Sequence, residues 1–300
     1  MSFNENIRIN PGRAQDRRGS GGMGGGGKIA IGGGAGGLIL LLLAMFTGVD
    51  LTAFLGGDTG QQQQTGASSL EHCRTGADAN EHADCRIVTT AESLDAFWAP
   101  YAKKHGIPFQ QPELVIFNGG VNTGCGSASS DMGPFYCPAD QTAYFDPAFF
   151  DVLRKQFGTS AGPLAQEYVV AHEYGHHMQN MMGTLRYSQQ GGTGPTSPAV
   201  RVELQADCYA GMWAHHAATV KDDDTGETYL KPISQEQLKD AIDAAEAIGD
   251  DSIQRKAGQR VRPENFTHGT SEQRMKWFMT GYEHGDVNRC DTFNVSGSNL

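Results

Sequence analysis

Hydrophobic residues along this chain recur mostly at helical spacing. Val169, Val170, Ala171, Tyr174 and Met178 belong to an apolar-periodic run from Leu164 to Met182 that begins after Gly162-Pro163 and stops at Gly183, the boundary signals of a helix. A second run opens at Ser197-Pro198, with serine placed as N-cap and proline at the first helical position, and it carries Glu203-Leu204-Gln205-Ala206-Asp207. Leu94, Phe97, Trp98 and Tyr101 predict a third helix over 91–104, ended by Gly106, whose aromatic stripe reads as core. Two capping boxes, Ser234 with Gln237 and Thr270 with Gln273, start further helices, the second carrying Met275, Trp277, Phe278 and Tyr282. Another helix begins between Pro147 and Phe157.

Strand signals are fewer. Glu113 to Phe117 is a short apolar strand closed by Asn118-Gly119-Gly120, and Gln141 to Asp146 is a second. The Gly- and Ser-rich stretch from Thr123 to Pro138 contains two cysteines and predicts a stapled hairpin. A helix-dominated α+β domain with a small sheet follows. Tyr144 and Phe145 are candidates for a strand that lends its backbone to an extended chain at a cleft edge, and equally for plain core residues.

The first 69 residues break this pattern. Residues 1–28 are rich in Gly, Arg and Asn and read as a disordered basic tail. From Ile29 to Val49 there is no charge, and the run centred on Leu38 to Phe46 is long enough for a transmembrane helix. Its long leader, and Asp50-Leu51-Thr52 directly behind it, favour an uncleaved anchor over a signal peptide. A polar linker over 50–69, with Gln61 to Gln64, would then join this anchor to a folded domain over 70–300. Basic residues before the span and acidic ones after it place the N-terminus in the cytoplasm and the domain outside.

Cysteine usage agrees with an oxidising compartment, because all six cysteines follow the span. Pairing of neighbours joins Cys73 to Cys85 and Cys125 to Cys137 and leaves Cys208 with Cys290, while other connectivities, and six reduced thiols, stay open. The formal net charge of −11 and isoelectric point near 5.3 argue against a nucleic-acid partner, which needs a basic face. Asp222 to Glu227 is a charged turn without the ligand spacing of a calcium loop.

The chemistry concentrates in the first helix. His172 and His176 are four residues apart, so both imidazoles lie on one face and can reach one ion, with Glu173 beside them. This is the His-Glu-x-x-His arrangement of zinc peptidases, in which catalytic zinc takes three protein ligands and keeps a position for water. Glu203 is the candidate third ligand, and Asp207, one turn on, is placed to accept a hydrogen bond from a ligand imidazole. His177 points about 100° away on the helix, and no third histidine follows at metzincin spacing.

His172-Glu173-Tyr174-Gly175-His176-His177, Glu203 to Asp207, Gly124-Cys125-Gly126 to Phe135-Tyr136-Cys137-Pro138, and Phe266 to Ser271 together resemble the bacterial family of putative neutral zinc metallopeptidases. The resemblance covers nearly the whole chain and implies a zincin-like, gluzincin-type fold, a single-pass membrane anchor, zinc, and a peptide or protein substrate. On this reading His172, His176 and Glu203 bind zinc, Glu173 is the general base, and His268 is the candidate that stabilises the oxyanion, with Tyr282 behind it. The rival class is an anchored, zinc-stabilised scaffold that cleaves nothing.

Overall fold

The computed structural model describes residues 2–18 and 70–300. In chain order its elements are β1 (Gln15–Asp16), α1 (Gly76–Glu81), α2 (Ala83–His105), β2 (Glu113–Ile116), β3 (Gly120–Thr123), β4 (Gly126–Ser129), β5 (Phe135–Cys137), β6 (Thr142–Phe145), α3 (Phe149–Lys155), α4 (Pro163–Met182), α5 (Pro198–Ala217), α6 (Gln235–Ala247), α7 (Asp250–Lys256) and α8 (Ser271–His284). The helix-dominated α+β reading therefore describes the chain. Both capping boxes form, and Ser197 caps α5 by accepting from the Val200 amide. The helix expected over 91–104 starts earlier, at Ala83, where Asp84 occupies its first turn.

A four-stranded sheet runs in the order β1-β2-β6-β5, with β1, β2 and β6 parallel and β5 antiparallel to β6. Side chains alternate across it. Leu114, Ile116, Tyr136, Ala143 and Phe145 enter the main core with the helices, whereas Val115, Phe117, Phe135, Cys137 and Tyr144 enter a smaller core shared with Val121 and Ala128 of the β3–β4 hairpin. The Cys125–Cys137 bridge ties that hairpin to β5. Tyr144 and Phe145 consequently do not line a free strand edge, because β6 is interior to the sheet; the edge strand at this end is β5.

The expected architecture needs correcting at its N-terminus. Among the described residues no helix is long and apolar enough to cross a membrane, so a preceding transmembrane helix does not belong to the supported fold. The stretch read as an anchor, 29–49, and the linker over 50–69 lie outside the described residues. Nor are residues 2–18, the described part of the segment read as a tail, loose. Phe3 and Ile7 are fully buried, Phe3 bridges to Leu230 and Arg8 to Thr75, and β1 adds a parallel strand to β2. Arg13 clasps Asp95 of α2 at 2.6 Å.

The low apolar average of 1–28 conceals these few large residues, whose partners lie far along the chain. Burying each phenylalanine or isoleucine is worth about 1.5–3 kcal/mol. Residues 2–18 and 70–300 share one core.

Helices α4, α5 and α8 form the centre of the molecule. Helices α5 and α8 approach so closely that a Cβ on Gly211 would lie 1.9 Å from the Phe278 carbonyl oxygen, and one on Gly281 would lie 1.9 Å from that of Cys208. Only glycine permits this reciprocal contact, which sets α8 against the helix that carries Glu203 and Asp207.

Candidate metal centre

The local sequence of α4 places His172 and His176 on the face that meets α5, where Gly175 allows Ala206 a close approach. The three candidate ligands converge. His172 Nε2 lies 3.2 Å from Glu203 Oε2 and His176 Nε2 lies 3.5 Å from Glu203 Oε1, with all three side chains buried. A tetrahedron with bonds of about 2.0–2.1 Å to nitrogen and oxygen has edges of roughly 3.3 Å, so these separations fit a single zinc ion. Two nitrogens and a carboxylate oxygen are also the donor set of a catalytic rather than a structural zinc site.

Hydrogen bonds fix which nitrogen each imidazole offers. Asp207 Oδ1 accepts from His172 Nδ1 at 2.8 Å and from the Tyr168 hydroxyl at 2.6 Å. Arg274 of α8 donates through Nε to Asp207 Oδ2 and through Nη2 to Oδ1, both at 2.9 Å. With both carboxylate oxygens engaged, Asp207 holds the Nδ1 proton of His172, so Nε2, which faces Glu203, is the nitrogen left to lose its proton and bind a metal.

His176 is held by a different device. Its Nδ1 donates to Gln179 Oε1 at 2.9 Å, and Gln179 Nε2 donates to the Val202 carbonyl at 2.7 Å and to Gln205 Oε1 at 3.2 Å. Gln205 in turn donates to the Cys290 carbonyl at 3.0 Å, and Cys290 is bridged to Cys208. The terminal disulfide thus closes the relay that orients the second histidine. Replacing Cys208 and Cys290 together by alanine should lower the melting temperature and weaken zinc retention in one step. The loop spans 82 residues, for which chain entropy alone supplies about 4.5 kcal/mol. Calorimetry and a chelator competition on the same sample check both halves, and an unchanged zinc affinity would separate the bridge from the metal site.

Ionisation states follow from these contacts. Burial works against the His172 cation, yet Asp207 outweighs it and raises the pKa to about 9. Burial lowers His176 to about 4. Burial also works against the Glu203 carboxylate, but the histidines around it hold it well below the usual range. Zinc binding to His172 must therefore expel a proton. Glu173 behaves oppositely: burial, with Glu203 adding to it, raises its pKa to about 7. Its carboxylate accepts the backbone N–H of Tyr136, on the edge strand β5.

His177 braces that strand. Its Nε2 donates to the Gln110 carbonyl at 2.5 Å, so Nδ1 accepts from the Tyr136 hydroxyl at 3.0 Å. His268 lies close enough to Glu203 for their charges to interact. Asp250 Oδ1 receives its Nδ1 at 3.1 Å while Oδ2 accepts the backbone amides of Thr267, His268 and Gly269 at 2.7, 2.7 and 3.0 Å. Its Nε2 is buried with no partner among the described residues. Tyr282 instead stacks on Phe278.

Tyr168, Gln179, Asp250 and Arg274 escaped the sequence reading. Tyr168 and Gln179 left a local trace, four residues before His172 and three after His176 on the same helix, whereas Arg274 and Asp250 reach the site from other helices.

Comparison with known proteins points the same way. An uncharacterized protein of Mycobacterium tuberculosis is 55% identical over 227 residues, 76% of each chain. The uncharacterized protein YpfJ of Escherichia coli K12 is 42% identical over 259 residues, 85% of this chain and 84% of that one. No solved structure matches. A family model described as putative neutral zinc metallopeptidase matches residues 5–293, a span that takes in the packed N-terminal segment as well as the His172, His176 and Glu203 cluster. With that model covering all but the ends of the chain, this protein belongs to the putative neutral zinc metallopeptidase family, and zinc is the metal its ligand group implies.

Proposed function

We propose that this protein hydrolyses peptide bonds, with zinc held by His172, His176 and Glu203 and with Glu173 as general base. The observation that carries the reading is Glu173: a buried carboxylate next to the ligand cluster, raised by burial to a pKa of about 7 and positioned by an amide of the edge strand. Zinc supplies the Lewis acidity that polarises a carbonyl and lowers the pKa of water. Glu173 takes the proton from the attacking water and returns it to the leaving amine, a task best served by a pKa near the working pH. Asp207 and Gln179 hold the ligand imidazoles in the tautomer that offers Nε2.

Strand β5 presents an edge beside Glu173 that no strand among the described residues pairs with, and an extended peptide can join it as an added strand. The Asp250 cradle raises the pKa of His268 against the effect of burial, which favours the form that can donate from Nε2 to a developing oxyanion. The three disulfides support a working place in an oxidising compartment.

The test is turnover of an unbiased peptide library by the purified, full-length protein. Activity should vanish on chelation and return with zinc. A stably zinc-loaded protein with no turnover would favour the scaffold reading instead. His268→Gln should lower kcat by about 10²–10³-fold with little change in KM, and an equal loss in KM alone would assign His268 to ground-state binding.

A further inference from the structure

A second group of metal-ligating side chains lies away from the zinc cluster, where the turn before α1 meets the start of α2. His72 and Cys73 face Asp84 and Cys85, and one ligand atom from each of the four lies within 4.8 Å of every other. His72 Nε2 is 3.6 Å from Cys73 Sγ and 3.4 Å from Asp84 Oδ1. A tetrahedral zinc with sulfur at about 2.3 Å and nitrogen or oxygen at about 2.0–2.1 Å has edges of roughly 3.3–3.8 Å, so both separations already match. The two sulfurs are joined as a disulfide, and in that form neither can supply a thiolate.

We propose that the Cys73–Cys85 disulfide and a zinc ion are alternative cross-links at this place, and that reduction opens a second, Cys₂HisAsp metal site. A dithiol reductant supplies two electrons and two protons, breaking the S–S bond to give two thiols while it closes to its own cyclic disulfide. Uptake of the ion then expels both thiol protons to water, and the thiolates, His72 and Asp84 form four bonds to it.

The surroundings suit that state. Arg18 donates to Asp84 Oδ2 at 2.8 Å, and Oδ1 lies on the side of His72. Two thiolates and one carboxylate exceed the charge of a dication by one, and the Arg18 guanidinium, shared between Asp84 and Asp16, lies against that carboxylate. Both cysteines are fully buried, whereas the side chain of His72 is 42% exposed, which gives an ion a way in. Either cross-link holds the turn at Leu70–Thr75 to the first turn of α2, so the fold around Arg18 and the N-terminal segment survives the exchange.

Cobalt makes the test independent of the catalytic cluster, whose ligands include no sulfur. The full chain is reduced with a dithiol, freed of it by anaerobic gel filtration, and titrated with Co²⁺. The expected result is a sulfur-to-cobalt charge-transfer band that is absent from the oxidised protein and displaced by Zn²⁺. The band should weaken in Cys73→Ser, disappear in the Cys73→Ser, Cys85→Ser double variant, persist in the Cys125→Ser, Cys137→Ser double variant, and need an order of magnitude more cobalt in His72→Ala and Asp84→Asn, which leave the disulfide able to form. A reduced protein without the band, whether folded or not, overturns the proposal. So does a band that survives removal of both Cys73 and Cys85.

Discussion

Glu173→Gln should lower peptide hydrolysis by about 10²–10⁴-fold, the range of a lost general base, while zinc content and melting temperature stay those of the parent protein. Glutamine keeps the size of the side chain and can still accept the Tyr136 amide through its carbonyl oxygen, but it cannot take a proton from water. The parent protein should lose any peptide hydrolysis as pH falls and Glu173 is protonated. Burial sets that inflection at about 7, and a bound dication moves it lower because it favours the carboxylate. The measurement is kcat/KM against pH, with zinc determined on the same preparations. Equal activity in Glu173→Gln at full zinc occupancy would remove Glu173 from the mechanism.

Arg274→Met should destabilise the protein by about 3–5 kcal/mol, the cost of leaving a buried carboxylate without its cation. Arg274 makes two of the four hydrogen bonds that Asp207 accepts, and both residues are buried. Without the guanidinium, which is the chief influence holding Asp207 ionised against burial, the carboxylate tends to protonate and its grip on His172 Nδ1 weakens. Zinc affinity should fall about 10–100-fold, as is usual when a partner behind a metal ligand is removed.

Adding Asp207→Leu separates the two effects. An apolar pair of similar volume should recover much of the stability but none of the zinc affinity, because His172 then has no acceptor to fix its tautomer. Denaturant unfolding and chelator competition read the two quantities. A double variant that regains zinc would show that Asp207 serves the fold alone.

Much of this centre was readable in the chain before folding. Helical periodicity put His172, Glu173 and His176 on one helix, and the Ser197-Pro198 start put Glu203 and Asp207 one turn apart on another. These facts are local: ligands at i and i+4, and caps beside the residues they cap, need no knowledge of the rest of the chain.

Tertiary structure decided what depends on partners distant in sequence. Arg274 meets Asp207 across 67 residues, and Asp250 takes His268 across 18, because glycine contacts at 211 and 281 bring α8 onto α5 and the α7 start lies under the 267–269 loop. Phe3 and Ile7, lost in a polar average, are core because Leu230 and the turn at Thr75–Gly76 close over them. The edge strand fell to β5 rather than β6 for the same reason: a strand's local pattern shows that it is apolar, but which neighbour it pairs with is settled by the sheet as a whole.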